Sequence, residues 1–249
     1  AHREPDCRLL YIHGGAFVAG SARTNGSTIL PTCHLSGVDA VAVDYPKAPE
    51  HTFPAAHEAI EAVYRHLLDN EARPEKIIVV GDSAGGNLAA TSLVRWRARG
   101  LPLPAGAILL SPLADGAGLS DTVYTLSNID PLISTTRPDH IKKLFEFYVN
   151  GRSVLDPEVS PVYADWTDMP PLLIHVGARE VLLGDSARLS EKARQGGVDV
   201  RLRVFDGMFH LFHMNWTLPE AKAAHDDMAA FVRLQMDLEG RTVFEAAQA

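Results

Sequence analysis

Short apolar runs alternate with amphipathic stretches along most of this chain. The apolar runs have the length of strands, whereas the stretches between them repeat their apolar residues at helical spacing. Strands are predicted at 9–12, 40–44, 77–81, 107–110, 172–176 and 200–205, and helices near 54–70, 86–99, 184–195 and 219–238. Because strands joined through helices pair in parallel, the pattern predicts an α/β fold with a mostly parallel sheet and helices on both faces.

The alternation is interrupted between Asp115 and Met169. This stretch contains a predicted helix, Pro138 to Val149, flanked by polar and proline-bearing segments. We expect an insertion at this point in the fold to form part of a small cap that covers the substrate. The chain shows no repeats, low-complexity tracts or linker, so one domain is expected over 1–249, with a cap-like insertion at about 115–169.

The pentapeptide Gly-Asp-Ser-Ala-Gly at 81–85 lies between a strand-like run and a helix-like run. An abrupt turn from strand to helix leaves room only for small neighbours, which accounts for Gly81 and Gly85, and it lifts the central hydroxyl clear of the sheet. Ser83 is therefore predicted to be a nucleophile. The alternative is a tight turn that happens to carry a serine.

A second cluster of small residues, His-Gly-Gly-Ala-Phe at 13–17, follows the first predicted strand. Ligands of open α/β sheets bind at the carboxyl ends of the strands, so this loop lies where a substrate is expected. Consecutive small residues let the backbone pass close to the substrate and direct N–H groups at a developing negative charge. The loop is expected to form an oxyanion hole. The alternative is that its small residues only make the loop flexible.

A catalytic serine needs a base, which follows the serine and the acid in this chain order. His210 ends the loop after the strand at 200–205, and we predict that it is the base. His213 is the rival, and the two histidines together suggest a metal ligand pair. No further ligands with zinc-like spacing surround them, so no metal is expected.

Three carboxylates could serve as the acid. Glu180 lies in the turn after the strand at 172–176 and is preferred. Asp185 begins the following helix, where a carboxylate commonly offsets the macrodipole. Asp115 follows the strand at 107–110, which comes one strand too early.

These motifs resemble those of the hormone-sensitive-lipase-like esterases, a branch of the α/β-hydrolases. The resemblance rests on the loop at 13–17, on Gly-Asp-Ser-Ala-Gly-Gly-Asn at 81–87, on the stretch 44–56 and on the region around His210. It implies the α/β-hydrolase fold and a carboxylesterase without metal or organic cofactor. It also implies a catalytic triad of Ser83, Glu180 and His210, and an oxyanion hole from the loop containing Gly14, with Gly15, Ala16 and Ala84 as donors.

The chain departs from the family pattern at two positions and at its start. Pro46 stands where the family has arginine, and Gly184 stands where it has an acidic residue. The strands and cap helices that precede the oxyanion loop in the family are expected to be absent, because only twelve residues precede His13. The strand at 40–44 is then expected to be a sheet edge, and the open pocket and this edge favour a homo-oligomer.

The net charge and the lengths of the apolar runs exclude some classes of binding partner. The 249 residues carry a formal charge of −8, and no basic patch favours nucleic acid or an anionic membrane as a partner. No apolar run approaches the length of about 20 residues that a membrane span needs. Cys7 and Cys33 are too few for a disulfide framework, and residues 1–7 lack a signal-peptide pattern, so a cytoplasmic protein is expected.

The expected function is hydrolysis of small short- to medium-chain acyl esters through an acyl-enzyme on Ser83. A lactone hydrolase or an aryl-formamidase would use the same triad on other acyl compounds. A ligand-binding protein that has lost catalysis is the alternative of another class, because fold alone does not establish activity.

Overall fold

A computed structural model describes residues 3–70, 72–133 and 139–238. Its sheet has six strands in the order β2-β1-β3-β4-β5-β6, and every neighbouring pair is parallel. Each predicted strand is present, and no strand end is displaced by more than one residue. The strands are β1 (Arg8–Ile12), β2 (Asp39–Val43), β3 (Ile77–Asp82), β4 (Gly106–Leu110), β5 (Leu172–Gly177) and β6 (Val200–Phe205).

The helices include the predicted ones and two more. They are α1 (Leu30–Ser36), α2 (Ala55–Asn70), α3 (Ala84–Ala98), α4 (Thr122–Thr125), α5 (His140–Val149), α6 (Leu183–Gln195) and α7 (Pro219–Gln235). The short helices α1 and α4 were not predicted, because neither is long enough to show an apolar period. Helix α7 ends before the predicted 238, where Asp237 adopts a left-handed φ of 52°. Pro138, the predicted start of α5, lies outside the described residues.

Two apolar cores cover the two faces of the sheet. Successive residues of a strand point to opposite faces, so Leu10 and Ile12 join one core and Leu9 and Tyr11 the other. The larger core contains side chains of α2, α3 and α6, whereas α7 covers the opposite face. Helices therefore lie on both sides of the sheet, and the central strands β3, β4 and β5 are buried along their whole length.

The described residues of the insertion at 115–169 share the larger core and form no core of their own. Val123 of α4, together with Phe145 and Tyr148 of α5, is buried in the same cluster as the strand residues. The segment returns to the sheet through Trp166, which is also buried there. The insertion is thus held against the carboxyl end of the sheet.

Among the described residues, β2 is an outer strand, paired on one side with β1. Its residues are half-buried or exposed except Val43. No helix in the described ranges is both long and apolar enough to cross a lipid bilayer.

Candidate active site

Ser83 occupies the turn between β3 and α3, where the backbone is strained. Its φ of 54° and ψ of −118° are unusual for a residue with a side chain. A Cβ on Gly81 would lie 2.2 Å from the carbonyl oxygen of Gly85, and a Cβ on Gly85 would lie 2.1 Å from that of Ile12. Both positions therefore require glycine, as the sequence indicated. The helix begins directly after the serine, two residues earlier than predicted.

The structure brings Ser83, His210 and Glu180 together in one line. His210 Nε2 lies 3.0 Å from Ser83 Oγ, and its Nδ1 lies 2.7 Å from Glu180 Oε2. An ionised carboxylate can only accept hydrogen bonds, so Nδ1–H donates to Glu180 and Nε2 is left to accept from the serine hydroxyl. All three residues are buried, with Ser83 exposed by 7% and His210 by 6% at the cavity.

Two further groups hold Glu180 in place. Its second oxygen, Oε1, accepts hydrogen bonds from the Ser111 hydroxyl at 2.7 Å and from the Gly177 N–H. The next residue, Val181, donates its N–H to Asp130 Oδ2 at 2.9 Å. The sequence analysis missed Ser111 and Asp130. Ser111 directly follows β4, which neighbours β5, so the expectation that functional residues lie at the carboxyl ends of strands could have identified it.

The rival carboxylates lie elsewhere and make no hydrogen bond to His210. Asp185 accepts the N–H groups of Ala114 and Asp115 at 2.8 and 3.0 Å, as well as the Ser120 hydroxyl. Burial raises the pKa of Asp185 to about 6, against these hydrogen bonds. Asp115 pairs with Arg188 and accepts the Tyr163 hydroxyl at 2.8 Å. Both carboxylates thus organise the start of the insertion.

Neither ring nitrogen of the second histidine in the C-terminal loop, His213, makes a hydrogen bond with a described residue. His213 is fully buried and stacks on His175 with ring centroids 5.6 Å apart. Burial lowers its pKa well below the ordinary histidine value. Within the described ranges, no group of three or more histidine, cysteine or acidic side chains is arranged to hold a metal ion.

The loop at 13–17 passes close to the elbow in an unusual conformation. A Cβ on Gly14 would lie 2.4 Å from Asp82 Oδ2, and Gly15 has a φ of 124°. Ala16 and Phe17 also have positive φ, at 55° and 63°. The hydrogen bonds that described residues make outside helices and strands use none of the N–H groups of Gly15, Ala16 and Ala84. These three donors are free to bind a substrate oxygen.

Aromatic residues support this loop from both sides. The His13 ring stacks on Tyr45 at 4.3 Å and donates Nδ1–H to the Gly14 carbonyl at 2.6 Å. The Tyr45 hydroxyl donates to the His13 carbonyl at 2.8 Å, so Pro46 leaves this support intact. On the other side, Phe17 stacks face to face on Tyr148 of α5, with centroids 4.0 Å apart.

The other departure from the family pattern, Gly184, lies against the side chains of Ser120 and Thr122. Its N–H donates to Thr122 Oγ1 at 2.8 Å. A Cβ at this position would lie 2.8 Å from the same oxygen and 2.9 Å from Ser120 Cβ. The small residue therefore lets the insertion pack directly against the start of α6.

A cavity of about 710 Å³ opens above the serine. Its wall includes Gly15 and Ala16 of the loop together with Ser83 and His210. The remaining wall is mostly apolar, and much of it comes from the insertion; its larger apolar side chains are Val18, Leu113, Leu132, Ile133, Ile141, Leu144 and Leu211. Asn25 and His140 are the other polar residues that line it. Such a wall suits a substrate with an apolar group.

Comparison with known proteins places the chain among esterases. A family model described as the alpha/beta hydrolase fold matches residues 9–214. An esterase of Acinetobacter venetianus is 37% identical, with the match covering 93% of this chain and 76% of the relative. An acetyl-hydrolase of Streptomyces hygroscopicus is 36% identical, over 93% of this chain and 77% of the relative.

Solved structures agree. The esterase EstE5 superimposes with a TM-score of 0.88 at 42% identity, covering 94% of this chain and 80% of EstE5. An esterase of the bacterial hormone-sensitive lipase family superimposes with a TM-score of 0.89 at 36% identity, covering 94% of this chain and 78% of that one. The chain therefore belongs to the hormone-sensitive-lipase-like branch of the α/β-hydrolase family, and it is an enzyme that hydrolyses carboxylic esters.

Proposed function

We propose that the chain hydrolyses esters through a covalent acyl-enzyme on Ser83, with His210 as general base and Glu180 as the triad acid. The observation that carries this proposal is the continuous line of hydrogen bonds from Ser83 Oγ through His210 to Glu180. The Ser83 end of this line faces the cavity, beside three N–H groups that bind no other described residue.

Acylation begins with attack of Ser83 Oγ on the ester carbonyl carbon, while His210 Nε2 takes the hydroxyl proton. The carbonyl oxygen becomes an oxyanion, and Glu180 stabilises the imidazolium that forms. Collapse of the tetrahedral intermediate breaks the bond to the alcohol oxygen. His210 returns its proton to that oxygen, and the alcohol leaves.

Deacylation repeats these steps with water. His210 removes a proton from water as the water oxygen attacks the acyl carbon, and a second oxyanion forms. The bond to Ser83 Oγ then breaks, the serine recovers its proton from His210, and the carboxylic acid leaves. Because the alcohol departs before water reacts, the kinetics should be ping-pong.

The N–H groups of Gly15, Ala16 and Ala84 supply the oxyanion hole in this proposal, within the loop that Gly14 begins. One such donor is typically worth about 3 kcal/mol of transition-state stabilisation. The left-handed φ at Ala16 and the φ of 124° at Gly15 set the direction of the loop. Its position is fixed before substrate binds, by the stacked rings of His13 and Phe17.

We propose short- to medium-chain acyl esters, roughly C2 to C8, as substrates. The apolar wall of the cavity supports an acyl chain rather than a charged group. The relative named an acetyl-hydrolase supports the short end of this range. Relative rates on p-nitrophenyl esters from acetate to palmitate measure the range, and an optimum on emulsified long-chain triglyceride would contradict it.

Replacement of the nucleophile tests the mechanism. Ser83→Ala should lower kcat by about a millionfold and leave the fold intact, because the hydroxyl contributes chemistry and little packing. A serine-directed organophosphonate should label the wild type once, at Ser83, and the variant not at all. Ser186→Ala, which removes another buried hydroxyl on α6, is the matched control and should retain activity. Retention of more than about a hundredth of wild-type kcat by Ser83→Ala would refute the assignment.

We also propose that the chain self-associates. Strand β2 has one neighbour among the described strands and is mostly exposed or half-buried, and such an edge can pair with another strand. Light scattering after size exclusion should show a species larger than the 27.0 kDa chain at micromolar concentration. A single peak at the chain mass throughout a dilution series would exclude association.

A further inference from the structure

Asp82, the residue before the nucleophile, takes no part in the proton transfers described above. Its side chain is fully buried beneath the elbow. One oxygen, Oδ1, accepts a hydrogen bond from the Tyr11 hydroxyl at 2.6 Å. The other, Oδ2, accepts no hydrogen bond from a described residue and lies against the backbone of Gly14, so closely that a Cβ there would approach it to 2.4 Å. A single carboxylate thus contacts β1, β3 and the start of the oxyanion loop.

The Tyr11 hydroxyl extends this contact to the cavity wall. It lies 3.3 Å from the carbonyl oxygen of Asn25, and Asn25 lines the substrate cavity. Tyr11 is fully buried, and of its two acceptors the Asp82 carboxylate is the nearer. The carboxylate therefore lies at the centre of a buried polar cluster that spans the elbow, the oxyanion loop and one wall of the cavity.

The charge of this carboxylate depends on pH. Burial raises the pKa of Asp82 to about 6, while the hydrogen bond from Tyr11 opposes the rise. Above this pH the group is ionised. The titratable groups that face it are Tyr11 of β1, Tyr45 after β2 and His210 after β6.

We propose that Asp82 is a positioning residue for ester hydrolysis: its ionised carboxylate, held between the Tyr11 hydroxyl and the backbone of Gly14, keeps the oxyanion loop at a fixed separation from Ser83. The inference rests on the function proposed above. It concerns the placement of the oxyanion donors, and Asp82 itself touches no substrate.

The effect of Asp82 on the stability of the fold distinguishes a positioning residue from a residue that only supports the packing. An acid whose pKa is raised on folding binds protons more tightly in the folded state, so its contribution to stability falls as pH rises through this range. Above pH 6 the ionised Asp82 therefore destabilises the protein. Removing the charge with an isosteric amide should leave the fold at least as stable.

The test is Asp82→Asn, assayed on p-nitrophenyl acetate from pH 5 to pH 9. We expect kcat to fall by about 10- to 100-fold at pH 8, since small misplacements of catalytic groups have effects of this size, with KM within about twofold of wild type. The melting temperature should not fall. The organophosphonate should still label Ser83 with unit stoichiometry, only more slowly.

A second variant, Tyr11→Phe, keeps the carboxylate and removes its donor. Loss of this hydrogen bond raises the pKa of Asp82 further, so the acid limb of the kcat profile should move to higher pH. When Tyr11→Phe is added to Asp82→Asn, the acid limb of the kcat profile should not move any further. Asp185→Asn is the matched control, because it removes another fully buried carboxylate whose pKa is raised to about 6 but which makes no hydrogen bond to the triad; its profile should keep the wild-type shape.

The proposal is overturned if Asp82→Asn retains kcat within about twofold of wild type. It is also overturned if kcat and melting temperature fall together while Tyr11→Phe leaves the pH profile unmoved, since that is the behaviour of a packing residue. Failure of the underlying mechanism would look different: the organophosphonate would then fail to label Ser83 in the wild type.

Discussion

The catalytic edge of the sheet and the insertion at 115–169 face each other across one cavity, yet they are built differently. Ser83, Glu180 and His210 lie on turns after parallel strands, and hydrogen bonds of 2.7 to 3.0 Å join them. The insertion contributes apolar wall and exposes large apolar side chains, among them Leu132 by 62% and Phe147 by 51%.

The difference separates two tasks. Groups that must meet a reacting atom at fixed distances are held by strand ends, tight turns and buried hydrogen bonds, which leave few alternative positions. A wall that only has to exclude water and accept an acyl chain can be made of loosely specified apolar residues. Changes at the catalytic edge should therefore alter rate, and changes in the insertion should alter substrate preference.

Among the variants that test the contrast between the catalytic edge and the insertion, we expect the largest loss of kcat at Glu180. Glu180→Gln should reduce kcat by roughly 10³ to 10⁴, because the amide can hold the imidazole in the wrong tautomer and cannot stabilise the imidazolium. Steady-state kinetics on p-nitrophenyl acetate, with circular dichroism to verify folding, would measure it.

Asp185→Asn is the comparison for that variant. Its carboxylate binds the Ala114 and Asp115 N–H groups at the base of the insertion, so kcat should remain within about tenfold of wild type. The reverse order of the two variants would move the triad acid to Asp185 and show that the insertion carries part of the chemistry.

Substitutions in the cavity wall should have a smaller effect, and it should fall on the preference for acyl-chain length rather than on kcat for short esters. Leu144 lines the cavity from α5, and Leu144→Phe should reduce the space for long acyl chains. We expect kcat/KM on octanoate to fall by about tenfold relative to acetate, given that one methylene in an apolar pocket is commonly worth that much.

Phe147→Ala is the matched control, because Phe147 lies on the same helix and is half exposed to solvent outside the cavity lining. It should leave the ratio of octanoate to acetate unchanged. If Leu144→Phe instead slowed both esters equally, the wall would be acting on catalysis, and the separation of tasks would fail.

Most of the fold followed from the sequence, for physical reasons, and the residues predicted for the triad lie within hydrogen-bond distance of one another. Parallel strands buried on both faces are continuous apolar runs, so β3, β4 and β5 could be located to within a residue. The elbow was evident because only glycine fits at 81 and 85. The structure puts Glu180, and not Asp185 or Asp115, beside His210.

What the sequence could not provide is the set of contacts between distant segments. Ser111 reaches Glu180 from 69 positions away, and Tyr11 reaches Asp82 from 71. Side-chain hydrogen bonds of this kind leave no periodic trace in the chain. The cavity wall was equally hidden, because apolar residues of the insertion such as Leu132 and Ile141 follow no single helical or strand period.

The face-to-face stack of Phe17 on Tyr148 links the two regions mechanically. Phe17 follows Ala16 in the oxyanion loop, and Tyr148 belongs to α5, which also lines the cavity. Any swing of α5 that widens the entrance must either part the two rings or drag the loop with it. The position of α5 at the cavity and the position of the oxyanion loop beside Ser83 are therefore coupled through this one aromatic pair.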